Sequence, residues 1–137
     1  MLETSIKGLV IIEPKIFYYS RGCFYESYNQ GLFIKKLSSF KFIQDNESKS
    51  PRGVLRGFHF QKPPFEQAKL VRCIDGKVLD IALDLRKNSS TYGKYEKTIL
   101  SGDNKKQLFI PRGFAHAFLV LSETAIFSYK IDNIYAP

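Results

Sequence analysis

Histidine and cysteine are scarce in this chain, two of each in 137 residues, and where they stand removes several chemistries at once. Cys23 and Cys73 lie far apart with no second cysteine beside either. That spacing suits neither a zinc site nor a redox pair and reads as two reduced thiols, for which the cytoplasm is the natural compartment. His59 and His116 have no third histidine to join them, which argues against a His-rich metal site. Long apolar runs are lacking too. The run Leu9, Val10, Ile11, Ile12 stops at Glu13 and Pro14, far short of a membrane span or a signal-peptide core, so a soluble, unexported protein is expected. No Gly-rich phosphate loop, nucleophile elbow or Cys-His signature occurs, which leaves covalent catalysis and nucleotide hydrolysis without support. Internal repeats, low-complexity segments and linkers are also missing, and residues 1–137 read as one domain.

What is present is a core. Apolar residues make up 44% and aromatics 15%, with twelve Phe, the composition of a folded globule. The formal charge of +8, from 21 basic and 13 acidic residues, fits either a nucleic-acid surface or a pocket for small anions. The basic residues are dispersed, in nothing longer than a pair such as Lys35-Lys36, and no aromatic RNA-binding motif accompanies them. Nucleic acid is therefore not an expected partner.

Short runs of Val, Ile, Phe and Tyr separated by turn residues predict strands throughout. Turn signals sit at Arg21-Gly22, Asp75-Gly76, Gly102-Asp103-Asn104 and Pro111-Arg112-Gly113, with polar loops over 45–53 and around Pro63-Pro64. Only residues 28–37 suit a short helix. The expected class is all-β, with antiparallel strands closed into a jelly-roll barrel whose mouth can hold one small ligand.

Alternation then selects faces. Along 78–86, Asp80, Ala82 and Asp84 oppose Leu79, Ile81, Leu83 and Leu85. On a solvent face the two carboxylates are ordinary surface charges; on a barrel interior they become functional candidates. Ala125, Phe127, Tyr129 and Ile131 share a face that points Tyr129 inward. His59 and His116 each lie among aromatics, where a packed core histidine and an acid–base group are both possible. By the same standard Arg21, Arg56 and Lys69 are solvated surface cations.

Several motifs occur together in order: Arg21-Gly22 with Glu26, Gln44-Asp45-Asn46, Gly53-Val54-Leu55-Arg56-Gly57-Phe58-His59-Phe60-Gln61, Lys69-Leu70-Val71, Asp84-Leu85-Arg86, Pro111-Arg112-Gly113-Phe114-Ala115-His116 and Tyr129-Lys130. In this joint pattern the chain resembles the dTDP-4-dehydrorhamnose 3,5-epimerase family of the cupin superfamily, from about Gly8 to Pro137. The resemblance implies a cupin jelly roll, usually a homodimer. It implies action on a nucleotide-linked 4-keto-6-deoxyhexose at C3 and C5 in deoxysugar biosynthesis for surface polysaccharide, such as lipopolysaccharide O-antigen, with neither metal nor organic cofactor. His59 would be the base, Tyr129 the acid on the opposite face, and Lys69 the donor to the enolate oxygen. Arg21, Glu26, Gln44, Asn46, Arg56 and His116 match positions that hold the sugar and diphosphate, and Tyr135 one that stacks on the base.

The chain also departs from the family. Members usually continue into a C-terminal segment with an acidic partner for the catalytic histidine, whereas this sequence stops at Pro137; Asp80 or Asp84 would have to replace that partner, and Asp84 is the candidate carried forward. Phe58, Ala68 and Ala117 stand where Leu, Gly and Gly are common. These differences keep three other readings in view: an epimerase of one centre only, acting on a dTDP- or CDP-sugar, a sugar-nucleotide 3,4-ketoisomerase, and a sugar-nucleotide binding protein without turnover.

Overall fold

Every strand pairing is antiparallel; the Arg21-Gly22 turn closes a hairpin, whereas the turns at Asp75-Gly76, Gly102-Asp103-Asn104 and Pro111-Arg112-Gly113 carry the chain from one sheet to another. The computed structural model describes residues 1–37 and 40–137. In chain order the elements are β1 Leu2–Glu3, β2 Val10–Ile12, β3 Phe17–Tyr19, β4 Gly22–Phe24, α1 Gln30–Leu37, β5 Gln44–Pro51, β6 Leu55–His59, β7 Lys69–Asp75, β8 Lys77–Asp84, β9 Tyr95–Ser101, β10 Gln107–Ile110, β11 Phe114–Val120 and β12 Thr124–Ile131. A six-stranded sheet has the order β1-β2-β10-β7-β12-β5, a four-stranded sheet the order β6-β11-β8-β9, and β3-β4 form a separate hairpin. The two larger sheets face each other as a cupin-like jelly roll.

The core lies between them. Val71, Cys73, Leu108, Ile110, Ala125 and Phe127 from the six-stranded sheet pack against Val78, Ala82, Leu100, Phe114, Phe118 and Val120 from the four-stranded one. Phe118 and Phe127 stack across this interface with centroids 4.0 Å apart. A second apolar layer covers the outer face of the large sheet, where Phe33 of α1 meets Val10, Leu70 and Phe109. Its edge-on contact with Phe109, 5.3 Å between centroids, is worth about 0.5–1.5 kcal/mol beyond area burial. Helix α1 starts where Asn29 caps it, the Asn29 side-chain oxygen accepting from Leu32 N–H at 3.1 Å, two residues inside the expected 28–37 span.

Two expectations change. The polar loop predicted over 45–53 is mostly strand: β5 pairs with β12 over eight registered positions from Gln44↔Ile131 to Pro51↔Thr124. As an edge strand, β5 needs no continuous apolar face, so pairing with β12 decides its conformation over composition. The aspartates of β8 face inward: Asp80, Ala82 and Asp84 are fully buried, whereas Leu79, Ile81 and Leu83 are half-buried on the outside. Of the two readings left open by alternation, the barrel interior holds.

Candidate active site

The inner face of the large sheet is polar at one end. Register places Ile131 between Gln44 and Lys69, and Tyr129 between Asn46 and Val71. Directly paired residues point to one side, so Gln44, Asn46, Lys69 and Tyr129 converge from β5, β7 and β12. The ring of Tyr129 lies 5.8 Å from Lys69 Nζ, and Gln44 Nε2 donates to Asn46 Oδ1 at 2.9 Å.

The opposing wall is built by β6 and β11. His59 pairs with His116 and Arg56 with Phe118, with a register shift between those two pairs. In a regular strand residues three apart point to opposite faces. The extra residue absorbed at Gly57-Phe58 turns both Arg56 and His59 toward the interior. Gly57 makes this possible: its φ is +114°, and a Cβ there would overlap the His116 carbonyl oxygen and lie 2.8 Å from Ala117 Cα.

Between these walls is a cavity of about 710 Å³ lined by Gln44, Asn46, His59, Lys69, Tyr129 and Tyr135, together with Phe58, Phe60, Gln61 and Gln67 among others, within the range of small-molecule sites. Arg56 donates from Nε to Ser50 Oγ at 3.0 Å, tying β6 to β5 beside the cavity. His116 is buried, and its Nε2 is 2.7 Å from Asp80 Oδ2. Among the described residues, no three His, Cys, Asp or Glu side chains cluster as metal ligands would.

Burial pushes the Lys69 ammonium below its ordinary value near 10.5, and the negative charge of Asp80 partly opposes that shift. Lys69 therefore loses its proton at lower pH than a free lysine. If the ammonium is the working form, the alkaline limb of kcat/KM should begin below pH 10.5. Lys69→Arg should move that limb out of range, since guanidinium stays charged, and Asp80→Asn should bring it to still lower pH. A limb unchanged in both variants would assign it to another group.

Asp84 is not the partner of His59. Its carboxylate accepts from Arg86 Nε and Nη2 at 3.0 Å each and from Ser89 Oγ and Thr91 Oγ1 at 2.6 Å each. Burial alone would raise its pKa, but these bonds and the Arg86 N–H outweigh it and hold the carboxyl well below the usual range. Asp84 instead pins the segment after β8 and, through Arg86 Nη2 to Lys7 O at 2.9 Å, the N-terminal strand region. The inward carboxylate that meets a histidine is Asp80, and the histidine is His116.

Arg21 and Glu26 also lie elsewhere within one chain. Arg21 sits at the tip of the β3-β4 hairpin with its guanidinium 5.4 Å from the Tyr19 ring. Glu26 lines a separate groove of about 510 Å³ between that hairpin and α1. Among the lining residues that sequence reasoning missed are Gln61 and Gln67. Gln61 Oε1 accepts from Ala136 N–H at 2.9 Å and Gln67 Nε2 donates to Asn133 O at 3.2 Å, fastening the terminal segment that carries Tyr135 to the cavity mouth. Gln61 belongs to the His59 motif; Gln67 is a loop residue with no signal of its own.

Comparison with known proteins agrees with this geometry. Residues 3–137 match the profile of the dTDP-4-dehydrorhamnose 3,5-epimerase family. The dTDP-4-dehydrorhamnose 3,5-epimerase of Escherichia coli K12 is 51% identical over 138 residues, covering 100% of this chain and 75% of the relative. The crystal structure of the enzyme of that name from Elizabethkingia anophelis is 54% identical, covers 98% of this chain and 74% of its own, and superposes with a TM-score of 0.94. That of dTDP-6-deoxy-D-glucose-3,5-epimerase from Legionella pneumophila, in complex with dTDP-4-keto-L-rhamnose, is 47% identical, covers 99% and 72%, and has a TM-score of 0.95.

Proposed function

The chain belongs to the dTDP-4-dehydrorhamnose 3,5-epimerase family, an isomerase family, and from that premise we propose that it inverts C3 and C5 of a dTDP-linked 4-keto-6-deoxyhexose in deoxysugar biosynthesis, by side-chain acid–base chemistry. The observation that carries this reading is the distribution of His59 on one wall of the cavity and Lys69 and Tyr129 on the other. His59 takes the proton from the carbon beside the C4 ketone, and the C–H electrons pass into the carbonyl as an enolate. Lys69 meets the developing oxygen charge with a preformed cation. The Tyr129 hydroxyl returns a proton to the other face, the carbonyl re-forms, and the centre is inverted. Gln44 and Asn46 hold sugar hydroxyls, His116 and Arg56 the sugar and diphosphate, and Tyr135 stacks on the base.

The active form is a homodimer. The hairpin exposes Tyr18 and Phe24, 74% and 61% accessible, and β6 is an uncovered edge exposing Leu55 and Phe58 at 60% and 51%. Pairing of these surfaces between copies would cover both and would let Arg21 and Glu26 of one copy serve the cavity of the other. Two cysteines without a disulfide suit work in the cytoplasm, as a single domain needing no membrane or nucleic-acid partner.

Solvent exchange tests the reaction. Incubated with dTDP-4-keto-6-deoxyglucose in D₂O, the chain should place deuterium at both C3 and C5. Label at one carbon alone would make it an epimerase of a single centre, and a substrate returned unlabelled would overturn the reading.

A further inference from the structure

Asp80 is fully buried, yet only one of its oxygens is bonded: Oδ2 meets His116, and Oδ1 has no partner. The one other buried side-chain atom so placed among the described residues is Thr98 Oγ1. The two residues are direct cross-strand partners on β8 and β9, and their side chains share the inner face of the sheet. Cβ atoms of such a pair are about 4.5–5.5 Å apart, and no direct bond joins the short Asp80 and Thr98 side chains. A buried acceptor and a buried hydroxyl left bare side by side each cost free energy, and a shared polar space of this kind is where buried water is found.

We propose that Asp80 Oδ1 and Thr98 Oγ1 hold one water between them, and that Thr98, acting through this water and Asp80, is a positioning residue for His116. The water donates to Asp80 Oδ1, so the carboxylate is held from both ends: by His116 from β11 and by Thr98 from β9. Fixed this way, Oδ2 orients the imidazole and keeps its Nε2 edge occupied. The Nδ1 edge is then the one free for a ligand. The other charged or titratable side chains of the inner face are Lys69 and Cys73 on β7, Tyr129 on β12, Arg56 and His59 on β6, Asp84 on β8, which is held by Arg86, and Glu96 on β9, which accepts from Ser5 Oγ at 3.3 Å. The Asp80 charge raises the proton affinity of Lys69 against the lowering by burial. The site thus couples a hydroxyl on the far strand to two groups that face the ketosugar, and its catalytic consequence rests on the epimerase reading.

The experiment pairs crystallography with kinetics on Thr98→Val, which keeps the shape and removes the hydroxyl, and Thr98→Ser, which restores it. Wild type and Thr98→Ser should show an ordered water within hydrogen-bond distance of residue 98 and Asp80 Oδ1, and Thr98→Val none. Thr98→Val should fold but melt somewhat below wild type, because Asp80 Oδ1 loses its partner, and its kcat for exchange at C3 should fall about tenfold with KM unchanged, recovering in Thr98→Ser; tenfold corresponds to the loss of one net hydrogen bond. Wild-type density without that water, or a Thr98→Val enzyme of unchanged kcat, would overturn the proposal. A wild-type chain inert toward the ketosugar would sink the epimerase reading alone, and the density would still decide the water.

Discussion

Replacing His59 by Asn should abolish deuterium uptake at C3, a loss of about 10² to 10⁴ in rate, the contribution typical of one positioned base. The argument rests on placement. His59 ends an edge strand, faces the cavity opposite His116, and stands across from the Lys69 and Tyr129 wall. Asparagine has nearly the same reach and can hydrogen-bond, so binding should survive while proton removal fails. The measurement is mass spectrometry of the sugar after incubation in D₂O, with a thermal-shift titration of dTDP run on the same variant. Retained labelling would remove His59 from the mechanism. Lost dTDP binding would make it a binding residue instead.

Substituting Gly57 by Ala should damage both fold and turnover. A side chain at φ +114° is strained by about 1–3 kcal/mol wherever it occurs. Here the new methyl would also overlap the His116 carbonyl, backbone that cannot rotate away. Strands β6 and β11 must then separate or shift register, and a shift by one residue turns Arg56 and His59 to opposite faces. Gly53 supplies the control. Its φ is +84° with nothing within 4 Å of an added Cβ, so Gly53→Ala carries the strain without the collision. Melting temperature should drop for both variants, further for Gly57→Ala, and epimerisation should collapse only in the latter. Equal activity in the two would mean that the bulge does not position His59.

These effects show what the sequence could and could not disclose. Alternation over 125–131 was enough to put Tyr129 inward, because Ala125, Phe127 and Ile131 on the same face of β12 are buried. The turns were legible because their residues act locally, and α1 because Asn29 and Phe33 give it a cap and a buried face. The polar strand β5 was not, since its conformation comes from a partner eighty residues later in the chain, as Asp45↔Lys130 illustrates. The separate fates of Asp80 and Asp84 were hidden for a related reason. The two are equivalent by period, and only the loop after β8, with Arg86, Ser89 and Thr91, consumes one and spares the other. The resemblance gave Arg21 and Glu26 roles in binding, but within one chain Arg21 lies on the β3-β4 hairpin and Glu26 lines the groove beside α1, not the cavity, a placement that depends on how distant segments pack and leaves no mark on the local sequence.

That His59 and Tyr129 address one sugar ring from opposite faces is the claim on which everything else depends, and a crystal structure of the chain with dTDP-4-keto-L-rhamnose tests it most directly. The hexose should lie in the cavity with its C4 oxygen toward Lys69 Nζ, His59 against one face at C3 or C5 and the Tyr129 hydroxyl against the other. A sugar seated with both groups on the same face, or bound away from Lys69, would contradict it.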